Sequence, residues 1–164
     1  RVRAICAGAA AFLWLSPCLP WRCTDRRMNL QVMVLTEGRR MNTVFGGCLC
    51  GAVRLRVEGE PLRVGVCHCM DCRKHHGALF HASAIFPGAA VQVTGQVAEY
   101  AGRYFCPVCG SSVYSRSGDE MEVHLGALDA PSLFAPSYEL WTCRREAWLP
   151  AFAGVQGHER DREG

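Results

Sequence analysis

Cys106-Pro107-Val108-Cys109-Gly110 decides how this chain folds. Two thiols three residues apart can hold one ion from a single tight turn. Pro107 fixes its own φ inside that turn. Gly110 permits the left-handed backbone after it, so that N–H groups can point at the sulfurs. Such a turn supplies two ligands, and a closed structural zinc site needs four. Upstream, Cys48-Leu49-Cys50-Gly51 is a second pair. At positions i and i+2 of an extended strand both sulfurs face one side and can reach one ion. Between the pairs, Cys67-His68-Cys69-Met70-Asp71-Cys72 places three sulfurs within six residues.

These seven are the clustered members of eleven cysteines; Cys6, Cys18 and Cys23 lie in the first forty residues and Cys143 stands alone. Secreted disulfide scaffolds are usually shorter, and their cysteines rarely sit one residue apart, so the spacing points to metal chelation. Seven ligands divide most simply as four and three. Cys48, Cys50, Cys106 and Cys109 can join into a closed tetrahedral site, and Cys67, Cys69 and Cys72 into a site with a position free for water or substrate. Closed sites are structural and open ones catalytic. Spacing leaves other divisions standing: His68, His75, His76 or Cys143 could close the second site, and both ions could be structural. An iron–sulfur cluster is the weaker competitor, because the seven ligands fit no common cluster spacing.

Outward from the cysteines the pattern is strands and turns. Val53, Leu55 and Val57 alternate with Arg54 and Arg56, a period of two. Similar short runs are Phe80–Phe86, Val91–Thr94, Val97–Tyr100, Arg103–Cys106, Ser112–Ser115, Met121–Leu125 and Tyr138–Thr142, punctuated by Gly, Pro and Asp. One short helical turn is expected over Asp71–His76. The pattern predicts a single all-β domain over residues 41–153, consistent with a chain of 164 residues.

The flanks read differently. Arg1 and Arg3 followed by the apolar run Ala4–Leu15 imitate a signal segment, too short for a membrane span. Residues 1–40 are expected to be a non-domain extension, signal-like or an over-extended reading frame with Met41 as the natural start and Met28 or Met33 as other starts. Zinc thiolates need a reducing compartment, so the expected location is cytoplasmic, with no membrane partner. Residues 154–164, charged and Gly-containing, read as a disordered tail. The formal charge of +3 is carried by the extension: residues 1–40 hold seven arginines against Asp25 and Glu37, leaving 11 basic and 13 acidic side chains in the rest. A basic footprint on the folded part is missing, which argues against a nucleic-acid partner. Lone Cys143 and His124 read as core residues, and Trp141 and Trp148 as core or rim.

The three cysteine motifs, in order, resemble those of the glutathione-dependent formaldehyde-activating enzyme family, also called the centromere-protein-V/formaldehyde-activating domain. Gly46-Gly47-Cys48-Leu49-Cys50-Gly51-Ala52-Val53 is similar to its opening. Cys67 to Lys74 with Gly77-Ala78 is similar to its centre, and Phe105 to Ser111 to its third motif. Gly126-Ala127-Leu128-Asp129 is similar to a late element. The resemblance covers about residues 44–150. It implies an Mss4-like fold of stacked antiparallel sheets and two Zn2+ ions per chain. The structural ion would take Cys48, Cys50, Cys106 and Cys109, and the catalytic one Cys67, Cys69 and Cys72. It also implies a carbon–sulfur lyase acting on a thiol such as glutathione and a small aldehyde such as formaldehyde, to form or break an S-hydroxymethyl adduct. The Tyr138-Glu139-Leu140 stretch departs from the family, many of whose members carry a histidine nearby. Arg73 and Lys74 are candidates to offset the thiolate charge or to hold a substrate carboxylate. The rival class is a non-catalytic zinc-stabilised β module that binds a protein partner.

Overall fold

In the computed structural model, which describes residues 42–162, the period-two pattern at Arg54–Val57 acts as expected: Leu55 and Val57 are buried, Arg54 and Arg56 exposed. The strands in chain order are Thr43–Gly47 (β1), Arg54–Glu58 (β2), Arg63–Cys67 (β3), His81–Pro87 (β4), Val91–Thr94 (β5), Ala98–Tyr100 (β6), Arg103–Phe105 (β7), Ser112–Ser117 (β8), Glu120–His124 (β9), Tyr138–Leu140 (β10) and Gln156–Gly157 (β11). The α-helix Met70–His76 (α1) lies between β3 and β4. The domain is all-β, as its sequence predicts. Among the described residues no helix is long and apolar enough to cross a membrane.

Two sheets form. The small one runs β1-β2-β5 and the large one β11-β10-β3-β4-β9-β8-β7-β6. Val44, Leu55, Val57 and Val91 from the small sheet and Val64, Ala84, Phe86, Val113, Met121 and Val123 from the large one make a single buried cluster. Burying each of these side chains larger than Ala84 is worth roughly 1.5–3 kcal/mol. Cys48 and Cys106 belong to the same cluster, so one end of the core is built of thiols.

The sheets are not wholly antiparallel. β10 lies parallel to β3 and to β11. The chain reaches β10 after a long excursion through β8 and β9, and so returns alongside β3 in the same direction. Residues 154–162 also depart from the expected disordered tail. β11 extends the sheet, His158 N–H donates to Glu139 O at 2.7 Å, and Trp141 Nε1–H donates to Asp161 Oδ1 at 2.7 Å. Charged side chains there point outward while the backbone completes the edge of β10. The expectations for residues 1–40 lie outside the described residues.

Two of the sequence motifs meet in space. Gly46 bridges to Leu128, Asp129 N–H donates to Phe45 O at 3.0 Å, and Arg54 pairs with Asp129. A side chain at Gly46 would run into the Ala127 carbonyl, which explains a glycine in the first motif by a close approach to the last.

Candidate metal centres

The Cys48 and Cys106 loops are built alike. Gly51 N–H donates to Cys48 O at 3.1 Å, and Gly110 N–H to Cys106 O at 2.9 Å. Gly51 and Gly110 have φ of +80° and +74°, which other residues adopt at a cost. Cys50 therefore sits in a turn after β1 rather than in the strand expected from its i, i+2 spacing. The outcome for the sulfurs is the same. Cys48 Sγ lies 3.5 Å from Cys50 Sγ, and Cys50 Sγ lies 3.7 Å from Cys106 Sγ. All four sulfurs fall within 4.8 Å of one another. Val53 N–H points at Cys48 Sγ at 3.2 Å. The Ser111 hydroxyl, with its backbone N–H, holds Cys109 down at about 5. At Cys50 the Ala52 N–H pulls the same way, but the Cys48 and Cys109 thiols outweigh it and push the group up to about 12.

The triple forms where β3 ends and α1 begins. Cys69 caps the helix, its sulfur accepting from Cys72 N–H at 3.4 Å, and Cys67 Sγ accepts from Cys69 N–H at 3.5 Å. The three sulfurs lie within 4.8 Å of one another. The Cys72 thiol lowers Cys67 to about 7, while Cys67 pushes Cys72 up. Three like charges so close resist ionising together, and a divalent cation is what lets them do so. Soft thiolate donors suit zinc. Each cysteine group could hold a metal ion.

A cleft of about 520 Å3 opens beside the triple, with Cys67, Cys72, Arg63, Tyr138, Asp161 and Arg162 among its walls. Burial pushes the Tyr138 hydroxyl up, and the Arg162 guanidinium lies 5.0 Å from the centre of the Tyr138 ring.

The sequence model of the family described as "Glutathione-dependent formaldehyde-activating enzyme" matches residues 43–144. The chain belongs to that family. An uncharacterised lyase of Schizosaccharomyces pombe is 32% identical over 74 residues, which are 42% of this chain and 54% of that protein. The chain thus spans about half the length of the curated relative it matches.

In this member of the glutathione-dependent formaldehyde-activating enzyme family, none of the proposed fourth ligands joins the triple. His68 is fully buried and turns away, its Nε2 2.7 Å from Glu139 Oε1. Arg145 donates to both Glu139 oxygens, at 3.2 and 2.9 Å. His75 Nε2 lies 2.7 Å from the Ser112 hydroxyl. Cys143 is exposed, not a core residue, because it sits in a surface turn over Thr142–Arg144. Arg73 is committed to Glu146 and to Arg144 O at 2.8 Å, so it braces α1 rather than waiting for substrate. Lys74 is exposed. Sequence reasoning missed Glu139, Tyr138, Asp161 and Arg162, which reach the site from elements 66 or more residues after Cys72. The departure noted at Tyr138-Glu139-Leu140 was the one signal available.

Proposed function

We propose that this chain is a zinc-dependent carbon–sulfur lyase that joins a glutathione-like thiol to a small aldehyde such as formaldehyde, or breaks the resulting S-hydroxymethyl adduct. The observation that carries the reading is the cleft of about 520 Å3 with Cys67 and Cys72 on its wall, a size typical of small-molecule sites. The family and the lyase name of the yeast relative support it.

Two zinc ions belong to this reading, a structural one at Cys48, Cys50, Cys106 and Cys109 and a catalytic one at Cys67, Cys69 and Cys72. Held by three thiolates, zinc supplies Lewis acidity and keeps an added thiol in its thiolate form at neutral pH. The remaining work falls to the chain. Arg162 is the cation placed at the cleft to hold a substrate carboxylate. Arg63, on the same wall, is already paired with Glu120. Tyr138 shapes the wall opposite Gly65, which has no side chain to obstruct it. In the forward direction the thiol sulfur bonds to the aldehyde carbon as the C=O π bond opens, and the thiol proton ends on the oxygen.

The binding-module reading has an observation of its own: Leu49 and Val108, at the tips of the two cysteine loops, are 79% and 75% exposed. One experiment separates the two. Cobalt in place of zinc gives the three-cysteine site a visible spectrum. Glutathione is expected to strengthen its sulfur-to-cobalt charge-transfer band, and S-methylglutathione, which has no free thiol, to leave it unchanged. Formaldehyde added to the thiol-loaded protein then changes the band again. A spectrum indifferent to glutathione and other cellular thiols would sink the lyase reading and leave the binding module.

A further inference from the structure

Three histidines converge from three elements. His76 is the last residue of α1, His81 the first of β4 and His124 the last of β9. The register explains the meeting. His124 stands opposite Ser83, and His81 lies two residues from Ser83, so His81 and His124 share one face of the sheet as a diagonal pair. Gly77, left-handed at φ +59°, ends α1 and lets the chain turn back toward β4. The His76 and His81 rings stack at 4.2 Å, 1° from parallel. The His124 ring stands edge-on to both, at 4.6 and 4.5 Å.

Packing alone accounts poorly for this cluster. His81 and His124 are 6% and 3% exposed. The His81 Nε2 is buried with no hydrogen-bond partner, and its nearest carboxylate oxygen, on Glu122, is 3.9 Å away. An unpaired buried nitrogen costs about 1–3 kcal/mol, which an apolar side chain of similar size would avoid. One donor nitrogen from each ring lies within 4.8 Å of the other two. A tetrahedral ion with bonds near 2.0–2.1 Å needs its donors roughly 3.3 Å apart, so modest side-chain rotations close the difference.

We propose that His76, His81 and His124 form a third metal site, distinct from both cysteine groups, which takes a borderline divalent transition ion such as zinc or cobalt. Three imidazoles without a thiolate select that class over the hard ions magnesium and calcium. Burial and the neighbouring histidines, with Arg103 at His76 and His81, favour neutral rings, which are the ligating form. The Ser112 and Ser115 hydroxyls lie 3.2 Å from His124 Nδ1 and Nε2, so on ligation one hydroxyl gives up its nitrogen to the ion while the other keeps the ring oriented. A small cavity of about 180 Å3, lined by Cys72, His76, His81, Arg103, Ser115 and Glu122, gives the ion a way in. His81 also lines the larger cleft with Cys67 and Cys72, so an ion here faces the same space as the triple. The site stands whether or not that cleft turns over a thiol.

The test uses the full chain with zinc already on its cysteines, titrated with cobalt(II) alone. One further equivalent should bind, with visible bands but no added sulfur-to-cobalt charge transfer. Strongly shifted imidazole proton signals should appear in the NMR spectrum. His81→Phe and His124→Phe should abolish that equivalent. His76→Ala, at a half-buried position outside the sheets, guards against misfolding and should weaken cobalt by more than about 100-fold. Lys74→Ala, on the same helix, should change nothing. The proposal is overturned if no further equivalent binds, if it carries a sulfur charge-transfer band, or if it survives His76→Ala and His81→Phe together.

Discussion

Single residues in this domain differ sharply in what their loss removes. Cys106 has no exposed surface and belongs to the hydrophobic cluster, whereas Cys69 is half-buried and caps a seven-residue helix. Under the two-zinc reading proposed above, Cys106→Ser is therefore expected to unfold the domain, because the binding energy of a structural zinc would be folding energy, on the order of 10 kcal/mol in small zinc peptides. Cys69→Ser should keep the fold and release one ion. Circular dichroism with metal analysis checks both, and equal unfolding by the two would show that both ions are structural. Glu139 is the second decisive residue. It is 2% exposed and bonds both His68 and Arg145. Glu139→Ala leaves the buried His68 and the half-buried Arg145 without their partner and should cost about 1–3 kcal/mol in urea unfolding. Glu139→Gln keeps the shape and should cost less. Because His68 lies between Cys67 and Cys69, the alanine variant should also give up the ion of the triple to a chelator before that of the four-cysteine group.

At the scale of elements, the site depends on β10 lying parallel to β3. Tyr138 is register partner of Gly65, and its ring occupies the space a side chain at 65 would fill. Gly65→Ala should displace the ring, cost about 1–3 kcal/mol of stability, and raise the glutathione concentration needed to shift the cobalt spectrum. An unchanged unfolding midpoint and unchanged glutathione response would refute that role. Little of this pairing is legible in the sequence. Val64, Gly65 and Val66 are all buried, so β3 shows none of the alternation that exposes β2. The runs at β5 and β9 are readable because more and less buried positions alternate along Val91–Thr94 and Glu120–Val123.

For the whole molecule, the two flanks should behave in opposite ways. A chain beginning at Met41 is expected to fold and bind metal as the full chain does, since the family match starts at residue 43. A chain ending at residue 153 loses the backbone bonds that 156–160 make with Ser137, Glu139, Trp141 and Thr142, and the Asp161 bond to Trp141. At about 0.5–1.5 kcal/mol each, its stability should fall by on the order of 3 kcal/mol or more. Thermal melts of the two truncations decide the matter. The sequence by itself determined the all-β class, the family and the three tight clusters into which seven cysteines fall. Those clusters lie at Cys48/Cys50, Cys67/Cys69/Cys72 and Cys106/Cys109, where neighbours a few residues apart have little choice, whereas the meeting of Cys50 with Cys106 is a contact across 56 residues that the fold supplies. Only the tertiary structure decided that His68 answers to Glu139, that Tyr138 and Arg162 wall the cleft, and that His76, His81 and His124 meet. Each of those residues, read alone, is an ordinary polar side chain. What joins them is sheet register and strand order, and a period of two fixes which face a side chain takes but not which strand lies beside it.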